Sequence, residues 1–94
     1  MSSEIQVSVP EFLVGGDSFS RMGERLTAAG LAQLRVVLAS SHGSVAAKLW
    51  DENGAVRRNV LLVRNGEVVP RTGYDTLVFD DRDEIEFLVQ FAGG

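Results

Sequence analysis

The sequence predicts an α+β fold in which about four to five strands form a sheet packed on one main helix. Three observations carry this. Short segments of alternating apolar and polar residues recur towards both ends of the chain, as half-buried strands require. Between them, Leu31, Leu34 and Leu38 fall at i, i+3 and i+7 with Val37 alongside, the stripe of a helix packed on one side. Strands and helices do not alternate regularly, which sets the chain apart from parallel βαβ folds. Ninety-four residues at 45% apolar content fit one domain with a core of its own.

Ile5, Val7 and Val9 alternate with Gln6 and Ser8, reading as a first strand that Pro10 ends. Residues 15–20, rich in Gly, Ser and Asp, read as a loop. The next stretch has two readings. Met22 to Leu38 forms one helix weakened by Gly30, or Glu24 to Ala29 forms a second strand and a helix runs from Leu31 to Ala39. Ser40 to Gly43 breaks the helix, and Ser44 is placed to cap a short one reaching Trp50. Trp50 reads as a core or helix-end residue. Asp51-Glu52-Asn53-Gly54 is turn chemistry. Val60-Leu61-Leu62-Val63 is a compact, β-branched run suited to a central strand, and Asn65-Gly66 then signals a hairpin, because both positions tolerate positive φ. Glu67-Val68-Val69 makes a brief return strand before Pro70, and Asp80-Asp81-Arg82-Asp83 turns the chain again. Ile85, Phe87, Val89 and Phe91 alternate with Glu86, Leu88 and Gln90 in a last strand running almost to the C-terminus.

Several functions are disfavoured. No apolar run approaches the roughly 20 residues that span a bilayer, and Met1-Ser2-Ser3-Glu4 lacks the basic and apolar regions of a secretory signal. No membrane association and a cytoplasmic location are therefore expected. A net charge of -4 argues against nucleic acid as a partner. The acids Asp75, Asp80, Asp81, Asp83, Glu84 and Glu86 read as solvated surface, or as a complement to a basic partner. The absence of cysteine excludes disulfides, thiolate metal sites and a cysteine nucleophile. His42, the only histidine, reads as a solvated loop residue and makes no metal site alone. Gly15-Gly16-Asp17-Ser18 lacks the Gly-Lys-Ser/Thr of a phosphate loop, and no bound cofactor is expected.

The most informative feature is Phe91-Ala92-Gly93-Gly94. Two glycines after a strand place a carboxylate on a thin tether able to enter a narrow channel. An enzyme needs such access to bring a protein terminus to ATP. The plain alternative is a frayed, glycine-rich chain end.

The central strand with Asn65-Gly66-Glu67-Val68-Val69, the acidic turn Asp80-Asp81-Arg82-Asp83-Glu84, the strand after it and the final Phe-Ala-Gly-Gly together resemble the ubiquitin-like sulfur-carrier family. That family includes the small subunit of molybdopterin synthase and the carriers of thiamin and cysteine biosynthesis. Arg82 stands where the family's acidic turn has glycine. Val7-Ser8-Val9-Pro10 and Arg57-Arg58 are most similar to the cysteine-biosynthesis branch.

The resemblance implies a β-grasp fold with a mixed sheet, favours the strand reading of Glu24 to Ala29, and divides the chain into a domain, 1–90, and a tail, 91–94. It implies that the Gly94 carboxylate is adenylated and converted to a thiocarboxylate, that Gly93 and Ala92 thread a partner's channel, and that Phe91 anchors the tail. The partners implied are an adenylyltransferase/sulfurtransferase of ubiquitin-activating type, which uses ATP, and an acceptor synthase. The chain would be a cosubstrate rather than an enzyme. Cysteine or specialised-metabolite synthesis is the favoured destination of the sulfur, molybdopterin the next. A protein modifier joined to lysines through Gly94, and a plain interaction domain or synthase subunit, are the other readings. For docking, Ile85, Phe87 and Val89 should face the helix, leaving Leu88 on the open face of the sheet. By likeness to ubiquitin-like folds Val60 and Leu62 point inward, while Leu61 and Val63 either share the face of Leu88 or lie under the chain's own loop.

Overall fold

A computed structural model describes residues 2–91. β1, Ser3–Ser8, buries Ile5 and Val7 on one face and turns Glu4, Gln6 and Ser8 to the other. Pro10 then opens a single helical turn, α1, Glu11–Val14, an element the sequence pattern missed. Four residues cannot announce themselves by period, and Leu13 and Val14 make this turn only because they are buried there.

β2, Glu24–Ala28, settles the ambiguous stretch as a strand. It pairs antiparallel with β1 in the register Ile5↔Leu26, so Leu26 comes to the core face. α2, Leu31–Ser41, buries Leu31, Leu34 and Leu38 as the spacing requires. Gly30 precedes it in extended backbone, and a Cβ there would lie 2.8 Å from the Leu77 carbonyl oxygen, so the close approach of that loop requires glycine.

At His42 the helix breaks, and α3, Gly43–Leu49, follows. Ser44 does not cap it; its hydroxyl donates instead to Asp17 Oδ2 at 2.8 Å. His42 corrects the loop expectation too. It is 7% exposed, its Nδ1 is 2.5 Å from Asp17 Oδ1, and its ring stands edge-on to Phe19. The bonds from His42 and then Ser44 hold the Asp17 carboxyl below its ordinary pKa. A long loop thereby becomes part of the packed structure, which its Gly/Ser/Asp composition did not reveal.

Asp51 organises the next turn by accepting from the N–H groups of Asn53 and Ala55. β3, Val60–Arg64, leads through Asn65 (φ 51°) and Gly66 (φ 85°) into β4, Glu67–Val68, with the paired positive φ angles expected of this hairpin. A 3-10 turn over Arg71–Thr76, also unforeseen, brings the chain back. Its Arg71 guanidinium donates to the carbonyls of Arg57, Arg58 and Val60 at 3.0, 2.7 and 2.6 Å, stapling the turn to the start of β3.

β5, Glu84–Val89, enters between β1 and β3, parallel to the first and antiparallel to the second. The sheet order is β2-β1-β5-β3-β4, a mixed β-grasp sheet with its helices over one face. Leu34, Leu38 and Leu49 meet Ile5, Val7, Val60, Leu62 and Phe87 in the core. Trp50 belongs to it as well, standing T-shaped on Phe87 with centroids 5.5 Å apart.

The turn before β5 departs from the solvated-surface expectation at one residue. Asp83 is 5% exposed. Its carboxylate accepts from Arg64 Nε, Asn65 Nδ2 and the Asp80 N–H, each at 2.9 Å. Burial pushes its pKa up, but those donors outweigh burial and leave it below the ordinary range. Arg82, in the place where the resemblance expects glycine, has φ 71°, the left-handed conformation that glycine adopts without strain.

Candidate functional site

β5 delivers the chain to the tail. Its last paired residues are Val89 opposite Val60, and the Gln90 N–H then donates to the Asn59 carbonyl at 2.7 Å. Phe91 does not extend the alternation of the strand: it is 73% exposed, where period-2 reasoning placed it in line with buried Phe87. The physical reason is that the partner strand β3 begins at Val60, so beyond Gln90 there is no ladder to hold the pleat. Phe91 lies instead against Phe12 of α1, ring centroids 5.6 Å apart and planes at 37°. Ala92, Gly93 and Gly94 lie outside the described residues.

Around this exit the nearby cations are occupied by backbone. Lys48 Nζ donates to the Leu13 carbonyl at 2.9 Å, and Arg57 donates twice to the Ala47 carbonyl, at 3.1 and 2.9 Å. Arg58 is exposed one residue before Asn59. The acids Asp80, Asp81, Asp83 and Glu84 sit at the opposite end of β5, so the strand runs from an acidic end to a basic one.

The open face of the sheet gathers the remaining sequence candidates. Leu61 and Leu88 are directly opposed across β3 and β5, and Leu88 is 38% exposed while Leu61 is half-buried. Val63 is in register with both Glu86 of β5 and Val68 of β4. It is 6% exposed yet stands apart from the main core, so its neighbours cover it on the outer face. Val68 is 59% exposed beside it. Leu61, Leu88 and Val68 therefore form the accessible apolar surface, with Val63 as its floor and Glu86 at its margin. Val68 was not among the sequence candidates, although the two-residue turn at Asn65-Gly66 already put it opposite Val63. Phe12 was missed as well, and no periodic signal marks it.

A cavity of about 370 Å³ lies on the helix side, lined by Gly30, Leu31, Trp50, Val56, Tyr74 and Leu77 among others, and includes none of the residues of the open face or the exit. Among the described residues no group of three His, Cys, Asp or Glu side chains is placed to hold a metal ion, and no helix is long and apolar enough to cross a membrane. The open face presents an exposed apolar patch, and β5 leads from it to Phe91.

No curated protein matches the sequence. Among solved structures, the fold is similar to small archaeal modifier protein 1 from Methanosarcina acetivorans, with a TM-score of 0.80 at 14% identity over 100% of this chain and 99% of that one. It is similar to the protein of the same name from Haloferax volcanii, with a TM-score of 0.75 at 15% identity over 98% and 100%. It also resembles Urm1 from Trypanosoma brucei, with a TM-score of 0.61 at 19% identity over 99% and 97%. At these identities the likeness establishes the ubiquitin-like β-grasp fold. The ThiS family model matches residues 21–94, most of the sequence, and the chain therefore belongs to the ThiS family of ubiquitin-like sulfur carriers.

Proposed function

We propose that this protein carries sulfur as a thiocarboxylate on Gly94. The carboxylate attacks the α-phosphate of ATP on an activating enzyme of ubiquitin-activating type, releasing pyrophosphate and forming an acyl-adenylate. A sulfur donor at the hydrosulfide level then forms the C–S bond as the C–O bond to AMP breaks. The thiocarboxylate is a soft nucleophile that an acceptor synthase draws on. With no cysteine in the chain, the main-chain carboxylate is where sulfur is carried. All chemistry resides on the partners, and this chain is their cosubstrate.

One observation carries the reading: in a member of this family, β5 pairs as far as Val89 and the chain then leaves the sheet at an exposed Phe91, three residues before Gly94. In this reading residues 91–94 are the tail, beginning past the end of the ladder. Ala92 and Gly93 enter the partner's channel from a base anchored at Phe91, while Leu61 and Leu88, supported from beneath by Val63, dock against its surface. A cytoplasmic setting, with ATP at hand, suits this chemistry. Cysteine or a specialised metabolite is the favoured product, molybdopterin the next.

Intact mass spectrometry after coexpression with the activating enzyme tests the proposal. One oxygen replaced by one sulfur supports it, and a chain that stays at its translated mass overturns it. The likeness to small archaeal modifier proteins favours a second reading, conjugation to lysines through Gly94. Ladders of isopeptide-linked products in the same experiment are its signature.

A further inference from the structure

We propose that Phe12 is a positioning residue that holds Phe91 and thereby fixes the base of the C-terminal tail. An exposed phenylalanine needs no explanation when it stands alone. Here two of them, 57% and 73% exposed, are in contact 79 residues apart in sequence, at the point where the chain leaves the sheet. Their centroid separation of 5.6 Å lies in the range where aromatic pairs attract beyond the area they bury.

The two sides of the contact are supported differently. α1 is anchored independently of the tail: Leu13 and Val14 are buried, Lys48 of α3 donates to the Leu13 carbonyl, and Glu11 pairs with Arg21 at 3.0 Å. Phe91 lies past the last ladder bond, and Phe12 is its aromatic partner. A fixed ring therefore restrains one that the sheet no longer holds. Ordering the tail's base before it meets an enzyme removes part of the entropy that binding must otherwise supply. This consequence rests on the sulfur-carrier reading; the contact itself does not.

The test has two arms on the full chain. In NMR, ring-to-ring NOEs between Phe12 and Phe91 are expected, with the Phe91 amide gaining ps–ns motion in Phe12→Ala. In ATP–pyrophosphate exchange by the cognate activating enzyme, Phe12→Ala is expected to raise KM for the carrier about three- to ten-fold, with kcat changed by less than about two-fold. Phe12→Tyr restores the KM, Phe91→Ala reproduces the loss, and the double variant adds nothing further. The urea midpoint of Phe12→Ala should match wild type, which separates positioning from structure. Absent NOEs, an unchanged or lowered KM, or additive losses in the double variant each overturn the proposal. A wild-type chain that supports no exchange removes the carrier reading instead, and the NMR arm still decides whether Phe12 holds Phe91.

Discussion

At its first residues β5 is gripped from several directions, whereas at its last it is held by one ladder and then let go. Asp83, just before the strand, binds Arg64, Asn65 and the Asp80 N–H while its own carbonyl accepts from Gln6. Glu84 exchanges two bonds with Asn65, one through its carbonyl and one through its N–H. At the far end the Gln90 N–H makes one bond to Asn59, and Phe91 rests on a single aromatic neighbour. The difference teaches how a small domain divides labour along one strand. Buried, charge-assisted bonds at the entrance set register and position, and at the exit the chain leaves the ladder past Gln90.

Disabling each end separately should break different properties. Appending one residue after Gly94 is expected to abolish sulfur loading completely, as read by intact mass, with an unchanged urea midpoint. Normal thiocarboxylation of that variant would show that the terminal carboxylate is not the site. At the entrance, Asp83→Ala strands three donors in a half-buried turn, costing about 2–3 kcal/mol of unfolding free energy. Urea denaturation measures it, and a loss below about 0.5 kcal/mol would mean the grip is ornamental.

The same carboxylate sets a pH dependence. Its folded pKa lies below the ordinary 3.8, so its stabilisation is complete above that value and is lost as pH falls through the folded value. Thermal melts should therefore fall off below about pH 4, and Asp83→Asn should flatten the slope there. A slope identical to wild type would reassign it to other carboxylates, Asp17 first, since its pKa is lowered as well.

On the open face, Leu88→Glu should weaken binding of the activating enzyme about ten-fold at little cost in stability, since Leu88 is 38% exposed. Calorimetric titration reads this, and unchanged affinity would move docking elsewhere. The smallest effect is expected at Arg82. Relief of left-handed strain, about 1–2 kcal/mol, exceeds the unfolded-state entropy that glycine adds, about 0.4–1 kcal/mol. Arg82→Gly should therefore stabilise the chain by about 0.5–1 kcal/mol.

Much of the sheet was legible in residues because period and turn chemistry are local. Ile5 and Val7, Asn65-Gly66, and Ile85 with Phe87 each specify their element within a few neighbours. The stretch 24–28 was not legible by itself: its residues suit helix or strand, and only a β1 partner in register converts them to a strand. α1 and the 3-10 turn at 71–76 escaped for a related reason, being shorter than any reliable period.

For the candidate site the division follows the same line. The sequence by itself determined that a strand leads to Phe91-Ala92-Gly93-Gly94, that Leu88 falls on the face away from the helix, and that no cysteine is available, whereas the side taken by Leu61 rested on a family resemblance. Tertiary structure alone decided that Asp83 and His42 are buried, that Val63 is roofed by its neighbours, and that Phe12 meets Phe91. Alternation along a strand follows from its own residues, but burial depends on what comes to lie across from it. Those partners, 79 residues away for Phe91 and 25 for His42, are brought together only when the whole sheet closes on its helix.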